Sequence, residues 1–363
     1  MHKELCLNMP YIEINLEKIL HNAKLLNETL SAKGISIIGI TKVTLGNPTI
    51  AKTLVEAGIN HLGDSRIGNI IRMKETGVNA KFVLIRNPSL SEIPLVIRYA
   101  DISLNSELTT IKKLSEEALQ QNKNHGVILM VEMGDLREGI MPKDLDNIVR
   151  EVLKLQNIEL LGIGTNLKCF AGVIPDEKNM TEFSEIAHTI QKKYDIKFQF
   201  ISGGNSANYD WVMSTSELGS INNLRIGTVM LLGVGGIKEN PIPNYYQDTF
   251  TFVAEIVELK KKPLYPKGTI TTNAFGEPSI FQNRNKSKEG YRNHVLLNAG
   301  RQDVQETGLF PKEDVEILSA SSDYIIVDLK KTNFKLGDEL RFHVNYEALL
   351  GAMTSPFISK VFI

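Results

Sequence analysis

Cysteine is scarce in this chain of 363 residues: there are two, Cys6 and Cys169. Two are too few for a disulfide scaffold or a cysteine-based zinc site. A reducing compartment is the default for such a chain. Long hydrophobic runs are missing too. No stretch reaches about 18 uninterrupted apolar residues, so no membrane-spanning helix is expected. The opening MHKELCLNMP has no long apolar core followed by a small-residue cleavage site, so no signal peptide is expected. Nor does charge of one sign dominate, since 41 Lys and Arg face 42 Asp and Glu and leave a net charge of -1. No global field favours nucleic acid or an anionic membrane. The expectation is a cytoplasmic enzyme or binding protein acting on a small molecule, with no nucleic-acid or membrane partner and no metal.

What is present is ordinary globular material, 42% hydrophobic and 23% charged, in a chain long enough for one large and one smaller domain. After the alternating segment Tyr11–Asn15, short apolar runs alternate with segments of helical periodicity. The strand candidates are Ile35–Thr41, His61–Gly63, Phe82–Ile85, Ile102–Leu104, Val127–Met133, Leu160–Thr165, Phe198–Ser202 and Met230–Gly233. Buried β runs separated by amphipathic helices imply a parallel sheet with crossovers, and about eight of them suggest a closed (β/α)8 TIM-like barrel. From Thr249 the pattern changes. Phe250–Leu259, Tyr291–Ala299, Val315–Ser319, Tyr324–Leu329 and Glu339–Val344 read as antiparallel strands, with Lys260–Gly268 as a turn region. The two prolines within Asn240–Asn244 mark the boundary. The expected domains are therefore a barrel over 1–240 and an antiparallel β domain over 241–363, which the strand near 10–15 can join. There is no internal repeat and no low-complexity tract.

In a (β/α)8 barrel the chemistry sits at the C-terminal ends of the strands. Lys42 follows the first apolar run directly. A lysine at a barrel mouth can lose solvation, lower its pKa and form a Schiff base with an aldehyde cofactor, or it can merely start a loop. Arg137, beyond another strand, can hold a carboxylate or phosphate bidentately, or pair at the surface with Asp135 or Glu138. The turn Ser202-Gly203-Gly204-Asn205-Ser206 offers backbone N–H groups and a hydroxyl to a phosphate. Arg225 stands between the apolar residues Leu224 and Ile226, so it requires a buried partner, and Gly227 and Thr228 add phosphate donors. Asn166 can orient a cofactor-side hydrogen bond. Cys169 is either a small apolar residue or a nucleophile. Lysine, Gly-rich turn and near-buried arginine together suit pyridoxal 5'-phosphate (PLP).

The order of these segments is similar to that of the alanine racemase family, the fold-type III PLP enzymes. Tyr11–Asn15, Lys42, Gly134–Gly139, Gly162–Asn166, Asn205-Ser206, Leu224–Thr228 and Asn345–Glu347 carry the resemblance along nearly the whole chain. Asp64-Ser65-Arg66, Gly300–Val304, Ala320–Asp323 and Met353–Pro356 bring it nearer to the alanine/ornithine racemase subgroup. The resemblance implies that Lys42 is the Schiff-base lysine and one of two proton carriers. It implies that Arg225 meets the pyridine nitrogen and keeps it unprotonated, and that Ser206, Gly227 and Thr228 hold the phosphate. Arg137 would lie near the phenolic oxygen and the substrate carboxylate. The family works as a homodimer in which each β domain completes its partner's site. The subgroup suggests ornithine or a related basic amino acid as substrate, with alanine or a broad range as the alternative.

The sequence also departs from the family. The tyrosine that serves as the opposite-face base is replaced in the matching turn, Asn273-Ala274-Phe275-Gly276, by Phe275, which has no proton to move. Val43–Gly46 lacks the tyrosine after the lysine. Thr354, beside Ser355, stands where a phosphate-binding tyrosine is expected. Asn166 replaces a histidine, and Met130 replaces a lysine. Racemisation through a planar carbanion needs proton donors on both faces. Asp303 and Cys169, then Asp323 and His294, are the candidates for the second. A non-enzymatic PLP carrier and a PLP decarboxylase are the competing readings. The β domain disfavours the first, and the absence of a C-terminal cysteine motif disfavours the second.

Overall fold

The computed structural model describes residues 9–281 and 290–363; Cys6 lies outside the described residues. The chain packs as two compact units, one formed by Leu16–Gln247 and the other by the residues up to Asn15 together with Asp248–Ile363. The first strand, β1 (Tyr11–Ile14), therefore belongs to the β unit. The stretch 241–247 packs with the barrel unit instead of opening the second domain. There Asn22 clasps the backbone of Tyr246, donating to its carbonyl and accepting from its N–H, both at 2.8 Å.

The first unit is an eight-stranded parallel closed barrel: β2 (Ser36–Ile40), β3 (His61–Asp64), β4 (Lys81–Leu84), β5 (Ile102–Asn105), β6 (His125–Met130), β7 (Ile158–Gly164), β8 (Phe200–Ser202) and β9 (Asn223–Ile226). It closes where β2 meets β9, with Ile38 opposite Arg225. Seven strands stand where the apolar runs predict them, within a few residues. The eighth differs. Met230–Gly233 is not a strand, because Thr228–Leu232 forms a buried helix, and Leu224-Arg225-Ile226 lies in the closing strand itself. A short, wholly buried apolar run carries no periodicity that separates helix from strand. Ile38, Ile40, Val83, Ile102, Leu104, Ile128, Met130 and Phe200 fill the interior, which makes the barrel a packed core and not a pore. Gly162 permits β7 and β8 to pair, since a Cβ there would lie 1.8 Å from the Phe200 carbonyl oxygen.

The barrel unit ends with a small hairpin, β10 (Val234–Gly235) and β11 (Asn240–Pro241). The β unit is built around β12 (Phe250–Pro263), with β13 (Tyr291–Leu297), β14 (Leu309–Pro311), β15 (Glu316–Ala320), β16 (Ile325–Asp328), β17 (Glu339–Val344) and β18 (Ser359–Phe362). The sheet order is β14-β17-β12-β13-β16-β15, and β1 pairs antiparallel with β12 and parallel with β18. β12 runs to Pro263, so Lys260–Pro263 is strand and not turn, paired with Tyr291–His294. Polar lysines at exposed edges of a ladder mimic a loop in composition. A helix, Tyr346–Thr354, capped by Asn345, precedes β18.

Candidate active site

The mouth of the barrel is assembled from the residues that follow β2, β6, β7, β8 and β9. After β2 the chain turns tightly over Lys42–Thr44, and Leu45 adopts a left-handed conformation. Thr41, fully buried, donates from Oγ1 to Asp64 Oδ2 at 2.8 Å. Asp64 is held in turn by the Arg66 N–H at 3.0 Å and Asn69 Nδ2 at 2.9 Å. This network fixes the root of Lys42. The lysine side chain reaches solvent, but the crowded, concave mouth strips enough water from it to push its ammonium pKa down. The charges of Cys169 and Asp64 oppose that shift, while those of Arg137 and Arg225 reinforce it. The direction is the one an amine nucleophile requires.

Arg225 lies in β9, 5% exposed. NH1 donates to Ser202 Oγ at 2.7 Å, and NH2 donates to the Thr165 carbonyl at 2.7 Å and to Asn166 Oδ1 at 3.3 Å. Among the described residues no carboxylate forms an ion pair with it. Burial lowers its pKa to about 10, so it stays cationic at neutral pH. Asn205 organises the loop above. Its Nδ2 donates to Asn166 Oδ1 at 3.1 Å, to the Leu167 carbonyl at 2.8 Å and toward Cys169 Sγ at 3.6 Å. Gly204 (φ +148°) is forced by sterics as well as by torsion, because a Cβ would meet Asn208 Oδ1 at 2.1 Å. Ser206 Oγ accepts from the Gly227 N–H at 3.3 Å.

Asp135 does not pair with Arg137. Its Oδ2 accepts from the Cys169 and Phe170 N–H groups at 3.0 and 2.9 Å and thereby holds the loop that carries Cys169. Arg137 pairs with Glu138 instead. Burial opposes its charge, but that pairing, with Cys169 and Asp135, raises its pKa overall. Cys169 is exposed and lies within electrostatic reach of Lys42, Arg137 and Arg225.

Nine of the residues singled out from the sequence thus line one mouth: Lys42, Arg137, Asn166, Cys169, Asn205, Ser206, Arg225, Gly227 and Thr228. Asp303, Thr354 and Phe275 stand in the β unit. Asp303 is buried, accepting from the Gly300 N–H at 3.1 Å and from Ser355 Oγ at 3.2 Å. The Thr354 hydroxyl donates to the Leu350 and Gly351 carbonyls of its own helix. Asp323 is exposed, and on β13 burial lowers the His294 pKa. The Thr41–Asp64–Asn69 support of Lys42 was not legible as a site; its signals were Asp64 closing the next strand and the Asp64-Ser65-Arg66 segment of the resemblance.

A closed parallel barrel carrying this lysine–arginine mouth, with a separate antiparallel unit, defines a protein built to hold an anionic, ring-bearing aldehyde cofactor. Residues 14–234 match the family model described as alanine racemase, N-terminal domain. The lysine racemase of Thermotoga maritima is 37% identical over 358 residues, covering 97% of this chain and 98% of that one. The ornithine racemase of Acetoanaerobium sticklandii is 38% identical over 356 residues, covering 97% and 99%. In fold, the alanine racemase of Clostridium difficile 630 solved with cycloserine superposes with a TM-score of 0.74 at 18% identity, over 99% of this chain and 96% of that one. The chain belongs to the alanine racemase family.

The cofactor of that family is PLP, and the mouth fits it. Thr228 Oγ1 and Asn166 Nδ2 are buried without a hydrogen-bond partner among the described residues, and the Arg225 guanidinium meets only neutral acceptors. Buried groups left in this state cost about 1–3 kcal/mol each, and a ring nitrogen, a phenolic oxygen and a phosphate are the kinds of acceptor they lack. Among the described residues no group of His, Cys, Asp and Glu could hold a metal ion, and no helix is long and apolar enough to cross a membrane.

Proposed function

We propose that this protein is a PLP-dependent racemase that interconverts the enantiomers of ornithine or a closely related basic amino acid. The observation that carries the reading is the cluster of Lys42, its pKa depressed by burial, with the carboxylate-free Arg225 at one barrel mouth. The high identity to racemases named for lysine and for ornithine supports the substrate class.

PLP, when bound, draws electron density from the substrate's α-carbon and so acidifies its hydrogen. Lys42 would anchor the cofactor's aldehyde carbon, and its Nζ would move the proton on one face of the α-carbon. Arg225 would donate to the pyridine nitrogen. Because it remains cationic, it would keep that nitrogen unprotonated and the ring a weak electron sink, which would favour proton return over side reactions. Ser206, Gly227 and Thr228 would hold the phosphate. Asn166, oriented by Asn205, and Arg137 would face the phenolic oxygen and the substrate carboxylate.

On the opposite face Phe275 carries no proton. Of the first two candidates, Asp303 is occupied in holding the Gly300 turn against Ser355. The Cys169 Sγ lies within electrostatic reach of Lys42, Arg137 and Arg225, and among the described residues it accepts one long contact, from Asn205. Sγ of Cys169 is therefore the second proton carrier of this proposal. The proposed assembly is a homodimer whose sites are completed across the interface, and the proposed compartment is the cytoplasm, in keeping with the free thiol of Cys169.

Purified protein with PLP and L-ornithine, followed by chiral chromatography, tests the reading. D-ornithine accumulating to an equimolar mixture is expected; L-ornithine unchanged, with lysine and alanine also untouched, sinks it.

A further inference from the structure

Two loops of the barrel unit are joined by one side chain. The first follows β6 and covers residues 132–140; the second follows β7 and covers residues 165–173. Asp135 of the first loop is 1% exposed. Its Oδ2 accepts from the N–H groups of Cys169 at 3.0 Å and Phe170 at 2.9 Å, and its carbonyl accepts from the Ala171 N–H at 3.2 Å. Three consecutive donors of the second loop thus end on one residue of the first.

The first loop is built to present that carboxylate. At its neck the Glu132 N–H donates to the Ile140 carbonyl at 3.0 Å, and the Ile140 N–H donates to the Met130 carbonyl at 2.7 Å. Glu132 Oε1 accepts from the Gly134 N–H at 2.6 Å and the Leu136 N–H at 3.1 Å, and so gathers the backbone on both sides of Asp135. Leu136 is left-handed, with φ +56°. That conformation costs roughly 1–2 kcal/mol for a residue with a Cβ. Leu136 is 68% exposed, so burial of its side chain does not offset the cost. Hydrogen bonds hold the turn, and the residue at its centre is Asp135.

The second loop has no apolar anchor of its own where Asp135 grips it. Cys169, Phe170, Ala171 and Gly172 are all exposed, Phe170 by 72%. Polar contacts fix it instead, from Asp135 on one side and from Asn205 Nδ2 on the other, which reaches the Leu167 carbonyl at 2.8 Å and Cys169 Sγ at 3.6 Å. A grip on exposed residues adds little to the core; what it fixes is the place of the Cys169 thiol among the charges of Lys42, Arg137 and Arg225. We propose that Asp135 is a positioning residue for the Cys169 thiol, and that its grip sets how fast the protein inverts a substrate relative to exchanging the α-hydrogen on the Lys42 face. The proposal rests on the reading of Cys169 as the second proton carrier. Asp135 touches no reacting atom in it and acts through the backbone of Cys169 and Phe170. A misplacement of about 1 Å can cost a reacting group about 10^2 in rate.

Asp135→Ala removes the acceptor, and Asp135→Asn keeps one oxygen to serve in its place. Hydrogen exchange of the purified protein, with and without cofactor, reads the grip directly. The Cys169 and Phe170 amides are expected to exchange at least about tenfold faster in Asp135→Ala and close to the wild-type rate in Asp135→Asn. Proton NMR of the holoenzyme with ornithine in heavy water reads the consequence. Inversion is expected to fall roughly 10–100-fold in Asp135→Ala, with α-hydrogen exchange on the Lys42 face changed by less than about threefold, and Asp135→Asn to restore most of the inversion. A weakened hold on substrate by Arg137 lowers both rates together and leaves their ratio alone. In a Cys169→Ala background Asp135→Ala should lower inversion no further. An unchanged ratio of inversion to exchange in folded Asp135→Ala, or amides no faster than in wild type, overturns the proposal. Should Asp135→Ala fail to fold, the wild-type amides decide: exchange at least about tenfold slower than in an unstructured peptide supports the grip, and exchange at the unstructured rate overturns it. Full inversion by Cys169→Ala sinks the proton-carrier reading, whereas full inversion by Asp135→Ala alone sinks only the positioning role. If wild-type protein racemises no amino acid, the racemase reading fails, and the amide exchange still decides whether Asp135 holds the loop.

Discussion

The guanidinium of Arg225 donates to Ser202 Oγ at 2.7 Å, and Ser202 passes the bond on to Asn223 Oδ1 at 2.7 Å. A buried cation is thereby held by a relay of neutral groups anchored on β8 and β9, the last two strands of the barrel. Ser202→Ala removes the acceptor and leaves one N–H unmatched. Loss of roughly 1–3 kcal/mol of unfolding free energy is expected in urea titration of the apoprotein. A variant as stable as wild type would show that water replaces the hydroxyl without cost.

Lys42 supplies a prediction with a sign. Its folded pKa is pushed below the ordinary lysine value of 10.5 by burial. As pH rises between the folded and unfolded values, the unfolded chain holds more protons, so stability rises with pH across that window. Below the folded value both states are protonated and the full desolvation cost is felt. Lys42→Met should therefore stabilise the apoprotein at pH 7, and its advantage should shrink as pH approaches 10.5. Denaturant titrations at several pH values check this; a pH-independent difference contradicts it.

The same variant position tests the chemistry. Lys42→Ala is expected to abolish the visible absorbance of covalently held cofactor and to lower racemisation by about 10^3-fold or more. Retention of the wild-type spectrum would move the anchor to another residue.

Cys169→Ala separates the two faces. Inversion is expected to fall by roughly 10^2–10^4-fold, while exchange of the α-hydrogen with deuterated solvent, without inversion, continues for the enantiomer that Lys42 serves. Proton NMR in heavy water reads both. Undiminished inversion would remove Cys169 from the mechanism and return the role to a β-domain group such as Asp303.

His125, 1% exposed, opens β6 and shares a hydrogen bond at 2.8 Å between its Nε2 and Ser103 Oγ. Burial lowers its pKa from 6.5 to about 4. The unfolded state binds the extra proton between those values, so stability should climb by up to about 3 kcal/mol from pH 4 to pH 6.5. Replacing His125 with Gln should flatten that part of the profile, as measured by denaturant midpoints; an identical slope in the variant would assign it to other groups.

Much of the barrel was legible because its signal is local. A strand buried on both faces must be an apolar run, and a helix packed outside it must carry a 3.6-residue stripe, so the alternation from Ser36 to Ser202 could be read along the chain. The misreading at Met230–Gly233 has the same root: four buried apolar residues look alike in a helix and a strand. Site residues at strand ends were legible through their position, as with Lys42 and Arg225. Their supports were not, since Asp64 and Ser202 act through partners 23 residues away.

By itself, the sequence determined the class of architecture, the lysine and arginine at the barrel mouth, and the replacement of a tyrosine by Phe275. The first two follow from residue identity and short-range periodicity, and the last from the resemblance to the family. Only the tertiary structure decided that Arg225 is surrounded by neutral acceptors, that Asp135 holds the Cys169 loop and not Arg137, and that one oxygen of Glu306 is buried without a hydrogen-bond partner among the described residues. Each of those depends on which distant backbone and side-chain groups closure brings together and which water it removes, and no spacing along the chain encodes that.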